Sequence, residues 1–234
     1  MKFIEELNNH ENQLIEKLRS HPILSGLDRL TNQEFEHLLL QRRFFSLNFT
    51  PVMEHVLVGL ENQEAKKIIG WLIREEYPHY APSHREDIVS DLMKIGIPKN
   101  KILTTKPTNR TQETINKTLK LLEYEENFDI KGTIVARFIF EVCPGEEYEL
   151  IVKELERRYG MKREDSVFYW PHFKHDKKQN QATDQLSHSD KFSEILSKII
   201  DSENKLLRAK QILDSAYEIK LCFYNQFLEG GSYV

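Results

Sequence analysis

Cysteine is nearly absent. Cys143 and Cys222 are the only two in 234 residues, too few for a disulfide framework, and neither sits in a CxxC pair that would mark a redox motif or a zinc site. That usage fits a reducing compartment, and the chain reads as cytoplasmic. Glycine and proline are sparse too, at 9 and 8 residues, leaving few turn positions for a strand-rich fold. No basic stripe is present. The 33 Lys and Arg stand against 37 Asp and Glu for a net charge of -4, and basic pairs such as Lys66-Lys67 lie beside acids, so no nucleic-acid surface is implied. Long apolar runs are missing as well: the most apolar stretch, Thr133 to Cys143, is broken by Arg137 and Glu141, far short of the roughly 20 residues a membrane span needs. The opening residues Met1-Lys2-Phe3-Ile4-Glu5-Glu6 run into charged helix, not into the apolar segment of a signal peptide.

What is abundant is helix-forming. With 39% hydrophobic residues the chain can fill a core, and Leu, Ile, Glu and Lys dominate, so the fold class is expected to be all-α. Phe3, Leu7, Leu14 and Leu18 recur at helical spacing, and Thr31 with Glu34 forms a capping box ahead of Phe35, Leu38 and Leu39. Pro51 opens a further helix. Ala65, Ile68, Ile69, Leu72 and Ile73 make one stripe, and Ile88, Val89, Leu92 and Met93 make the next, which stops at Gly96 and Pro98. A loop over 99–109 is expected, then helices near 110–124, 130–143 and 145–159, and a very long one from Ser187 to about Leu228 with a bend near Asp201-Ser202. Between them Lys174 to Gln185 holds eleven polar residues and one Ala and reads as a mobile polar insertion. No repeat or linker divides the chain, so residues 1–234 are read as a single bundle of about seven to eight helices.

Within a bundle, the informative residue is a charged one where the periodicity demands an apolar one, because its burial costs several kcal/mol unless a partner or metal compensates. Three places qualify. Glu76 follows Ile69 by seven, Leu72 by four and Ile73 by three, which at about 100° per residue centres it on the stripe, with Glu75 at the edge. Glu141 follows Phe138 by three and Ile134 by seven, and His188 precedes Phe192 by four and Ile195 by seven. Of nine histidines, His79, His84, His172, His175 and His188 lie near these inward acids. Carboxylates and imidazoles converging inside a helical bundle are the makings of a di-iron or di-manganese site, although one inward Glu taken alone is more often an ion-pair or dipole partner.

At these residues the sequence resembles the haem-oxygenase-like di-iron oxidase superfamily, and within it the CADD-like and PqqC/TenA-related proteins. The resemblance is carried by Glu75-Glu76-Tyr77 followed by His84 and a helix ending Lys94-Ile95-Gly96-Ile97-Pro98, by Phe140-Glu141-Val142-Cys143-Pro144, and by Phe168-Tyr169-Trp170-Pro171-His172 with Asp176 four residues on. It implies a haem-oxygenase-like bundle holding one iron by Glu76 and His84, with Glu141 bridging, and a second by His172, Asp176 and a final histidine. The family's H-x3-D-x2-H spacing is not kept: Gln179 stands where that histidine is expected, and the next is His188. Either the polar insertion loops out and His188 returns, or Asp184 and His188, spaced i and i+4, replace the Asp176 pair. His79 and His175 are the rivals of His84 and His172.

These ligand types suit Fe(II) or Mn(II) better than zinc. The resemblance thus implies two Fe(II) ions, with Mn as the substitute and O2 as co-substrate, oxidising a small organic molecule. Tyr77, Tyr80, Tyr169 and Trp170 flank the ligands and are candidate electron relays or, as in CADD-like proteins, a consumed tyrosine; packing is the commoner role of such aromatics. A cofactorless PqqC/TenA-like enzyme using the same residues as acids and bases, and a helical interaction protein with a vestigial site, are the competing readings. A haem enzyme would not explain several inward carboxylates. Related folds pair through exposed helix faces, so a homodimer is a further expectation.

Overall fold

The computed structural model describes residues 2–176 and 187–228. Among them every regular element is helical: α1 (Lys2–Arg19), α2 (Pro22–Ser25), α3 (Asn32–Leu47), α4 (Phe49–Gly59), α5 (Gln63–Glu75), α6 (His84–Lys94), α7 (Lys99–Thr104), α8 (Asn109–Leu121), α9 (Phe128–Arg137), α10 (Cys143–Tyr159), α11 (Tyr169–Asp176), α12 (His188–Ile199) and α13 (Glu203–Asn225). No helix is long and apolar enough to cross a membrane among these residues. Most of the expected polar insertion, with Gln179 and Asp184, lies outside the described residues, as does the side chain of His175.

The elements follow from their sequences. Thr31 and Glu34 close the expected capping box at the start of α3, and Ser83 with Glu86 does the same for α6. Asn62 caps α5 by accepting from the amides of Glu64 and Ala65. Gly160, at φ 65°, takes the left-handed conformation that ends α10. Three details depart from the sequence expectation. The loop over 99–109 contains α7, anchored by the fully buried Ile102. The long C-terminal helix is broken rather than bent: α12 ends at Ile199, with Ile200 as its C-cap, and Ser202 caps a new helix by accepting from the amide of Lys205. Most consequential, 130–143 and 145–159 are not separated at Pro144. A π-helical turn, Phe138–Val142, joins α9 to α10 without a break. Proline lacks an amide hydrogen and crowds the carbonyl four residues back; the widened turn, in which the Cys143 amide reaches the Phe138 carbonyl, absorbs it.

This α9–α10 helix is the axis of the molecule. α4, α12 and α13 pack on its first half and α1 and α11 on its second, while α13 also packs against α1 and α8. The core is continuous, from Leu7, Leu14 and Leu18 of α1 to Phe223 and Tyr224 of α13. Several charged groups lie inside it, and one of them ties three helices together. Glu147 of α10, fully buried, pairs with Arg42 Nε of α3 at 2.7 Å and with Lys220 Nζ of α13 at 2.5 Å. Three helices are thereby tied by two cations sharing one anion, an arrangement whose removal is far more costly than its net contribution. Glu147→Ala is expected to leave both cations buried without a counter-charge and to lower unfolding free energy by about 3–5 kcal/mol. The midpoint of urea unfolding measures this, and a loss under about 1 kcal/mol would mean the cations reach water instead.

Candidate metal centre

The π turn decides where Glu141 goes. Its extra residue turns the Glu141 side chain into the space between α5, α6, α11 and α12, where the carboxylate is 2% exposed. The other candidates arrive from helix ends. Glu76 caps the C-terminus of α5, and His84 is the first residue of α6, fixed by the Ser83 capping box; the His84 amide donates to the Glu76 carbonyl across the intervening loop. His188 is the first residue of α12, fixed by Ser187, whose hydroxyl accepts from the Asp190 amide. His172 and Asp176 lie i and i+4 on α11, on one face.

Two triads result. Potential ligand atoms of Glu76, His84 and His172 lie within 4.8 Å of one another, as do those of Glu141, Asp176 and His188. In the first, His84 Nδ1–H donates to Glu76 Oε1 at 2.8 Å, and the His84 and His172 rings are 4.6 Å apart. His172 Nδ1–H donates to the Phe168 carbonyl at 2.7 Å, the tautomer that leaves Nε2 as an electron-pair donor. In the second, His188 Nδ1 lies 3.1 Å from Glu141 and 3.8 Å from Asp176, while its Nε2 lies 3.5 Å from Glu75. The structure therefore groups His172 with Glu76 and His84, not with Asp176 and the final histidine as the resemblance implied. His188 is the histidine that returns after the insertion, and it meets Asp176.

The electrostatics would suit a cation. Burial pushes the Glu141 carboxyl well above the usual carboxylate range, and the charges of Glu76 and Glu75 add to that push. Asp176 is raised likewise, by burial and by Glu141, with which it shares a hydrogen bond. Burial lowers His188, against the pull of Asp176 and Glu75. His84 is pulled down by burial, but its bond to Glu76 outweighs that and leaves it raised. Three buried acids, with imidazoles as their neighbours, are a hard oxygen and nitrogen donor set that a divalent cation would neutralise. The residues fit the group.

Both triads open onto a cavity of about 340 Å3 whose remaining walls are largely apolar, with Phe45, Phe49, Ile88 and Phe140 prominent. The family model for iron-containing redox enzymes matches residues 36–218, a span that includes all six candidate ligands. The chain belongs to the iron-containing redox enzyme family. No curated protein matches it. Among solved structures, a CADD-like protein of unknown function from Nostoc punctiforme aligns with TM-score 0.75 at 14% identity over 98% of this chain and 99% of that one. A TenA homologue from Pseudomonas syringae pv. tomato gives 0.72 at 11% over 96% and 92%, and a domain of unknown function with a haem-oxygenase-like fold from Shewanella denitrificans gives 0.69 at 11% over 97% and 92%. At such identities the likeness is one of fold, and the fold of this redox-family chain is haem-oxygenase-like.

The other sequence candidates fare differently. His79 is exposed against Tyr80, outside both triads. Tyr77 is 52% and Tyr80 100% exposed. Tyr169 is enclosed in the core, and Trp170 lies under the Arg163 guanidinium. None of these four lines the cavity; the tyrosine on its wall is Tyr148, whose hydroxyl is 3.1 Å from Ser46 Oγ. Sequence reasoning missed Tyr148 and also Asp91, which holds α11 in place. The Asp91 carboxylate, on the buried face of α6, accepts from Ser166 Oγ at 2.7 Å and from the amides of Val167, Phe168 and Tyr169 at 2.9, 2.9 and 3.3 Å. It serves as an N-terminal cap supplied by another helix. Its signal was available, since Asp91 follows Ile88 by three and precedes Leu92 and Ile95 on the apolar stripe. Because α11 carries one candidate ligand of each triad, Asp91→Ala is expected to cost about 2–4 kcal/mol of stability and to weaken any divalent-metal binding at both. Thermal unfolding and metal analysis of the variant check this; full metal retention would detach α11 placement from Asp91.

Proposed function

We propose that the protein is a non-haem di-iron, or iron–manganese, oxidase or oxygenase that activates O2 against a small organic molecule. The observation that carries the reading is the convergence of two carboxylate–imidazole triads on one apolar cavity. Glu76, His84 and His172 would hold one ion, Asp176 and His188 the other, and Glu141, which feels the charges of Glu76 and His84 as well as the Asp176 hydrogen bond, is the carboxylate to be shared. When bound, such a metal pair would supply two of the electrons that O2 reduction requires, the organic substrate supplying the others.

The chain's own residues prepare that chemistry. The proton shared by Glu141 and Asp176 must leave as a cation arrives, so the buried acids become charged only when that charge is compensated. His172 presents Nε2 because the Phe168 carbonyl holds its Nδ1 proton. The phenylalanine-lined walls exclude water from the substrate side. Tyr148 keeps its hydroxyl proton at neutral pH, its pKa pushed up to about 12 by burial, and its bond to Ser46 leaves it a neutral hydrogen-bonding group on the cavity wall.

Anaerobic reconstitution with Fe(II), metal quantification by plasma emission and oxygen-electrode recording test the reading. Close to two irons per chain and iron-dependent O2 consumption are expected, both sharply reduced in Glu141→Ala. Absence of bound iron, with unchanged behaviour of the variant, would move the same residues to the acid–base roles of a cofactorless enzyme.

A further inference from the structure

Arg85 stands out on the cavity wall. It follows His84 at the start of α6, and both residues line the cavity. The other arginine there, Arg42, is paired with Glu147. Arg85 has no carboxylate partner among the described residues. One of its N–H groups donates to the Leu47 carbonyl at the end of α3, at 2.8 Å, while its buried Nε has no hydrogen-bond partner. A guanidinium carries five donors in a planar fork; Nε is sealed off and one terminal nitrogen is spent on Leu47, which leaves terminal N–H groups to meet an anion. Glu75, the acid on the cavity wall that belongs to neither triad, faces His188 at 3.5 Å rather than Arg85. The rest of the surface is largely apolar and rich in aromatic rings, among them Phe45, Phe49, Phe140 and Phe168.

We propose that the cavity takes a small aromatic carboxylate, its acid group held by the Arg85 guanidinium and its apolar body lying among these rings with its far end at the triads. The proposal deepens the oxidase reading and rests on it for the orientation of the substrate, but not for the binding itself. A guanidinium–carboxylate pair in a water-poor cavity is a strong and directional contact, and flat rings packed edge to face complement an aromatic body. Arg85 is thus the residue that selects acids over neutral molecules of equal shape.

The test is calorimetric titration of the full chain, Mn(II)-loaded and metal-free in parallel, with 3-phenylpropanoate and with 3-phenylpropan-1-ol, which has the same body without the charge. The acid is expected to bind at least about tenfold more tightly than the alcohol. Arg85→Gln should remove that preference and leave the alcohol within about twofold of its original affinity, and Arg85→Lys should restore part of it. Equal affinity for acid and alcohol in the unmodified chain, or no binding of either, overturns the proposal. So does an equal loss of both in Arg85→Gln, which would make Arg85 a strut for the Leu47 carbonyl. Metal analysis of the same samples separates the two readings: a chain that selects the acid through Arg85 yet binds no metal pair retains this proposal and loses the oxidase one.

Discussion

Everything about this molecule turns on keeping three carboxylates, Glu76, Glu141 and Asp176, out of water beside one another. Like charges at such separation cannot all remain ionised in a weakly polarisable surrounding. Either protons are taken up, as the raised Glu141 and Asp176 indicate, or cations are. The fold makes the second outcome available by bringing three imidazoles to the same place and leaving an apolar cavity on the far side.

The surrounding structure sustains that constraint through fixed helix ends. Glu76, His84 and His188 all lie at helix termini set by caps, and α11, which carries His172 and Asp176, is held by Asp91 from a neighbouring helix. The start of α12 is further tied to the central axis, since Arg137 of α9 donates to the Ser189 carbonyl at 3.0 Å. Glu141 is the exception, carried mid-helix by a π turn, a distortion common at functional positions. Beneath the site, Glu147 with Arg42 and Lys220 locks α3, α10 and α13 together, so the cavity floor is as fixed as its ligands. Such rigidity matters because ligand sets must be held to within fractions of an ångström to select a metal and its geometry.

Much of this was legible in the sequence, for a physical reason. Burial leaves a periodic trace, so an acid or histidine on an apolar stripe stands out, and that logic singled out Glu76, Glu141 and His188. The same logic applied to Asp91 and Glu147, which also fall on buried helix faces, points to the residues that hold the site. The partition of ligands between the triads was not legible. It depends on how α11 is aimed, which the Asp91 contacts determine and which no spacing within α11 encodes. Pro144 misled for a related reason: a proline normally ends a helix, and only the tertiary setting shows that a wider turn has absorbed it. The aromatic candidates near the ligands were chosen by proximity in sequence, yet Tyr77 and Tyr169 leave the cavity, and Tyr148 reaches it from α10.

The most direct measurement is a crystal structure of the chain soaked in Mn(II), with anomalous data collected on the manganese edge. The account predicts two anomalous peaks, one coordinated by Glu76, His84 and His172 and one by Asp176 and His188, with Glu141 touching at least one of them. A single peak elsewhere on the surface, or none at either triad under saturating metal, would contradict it.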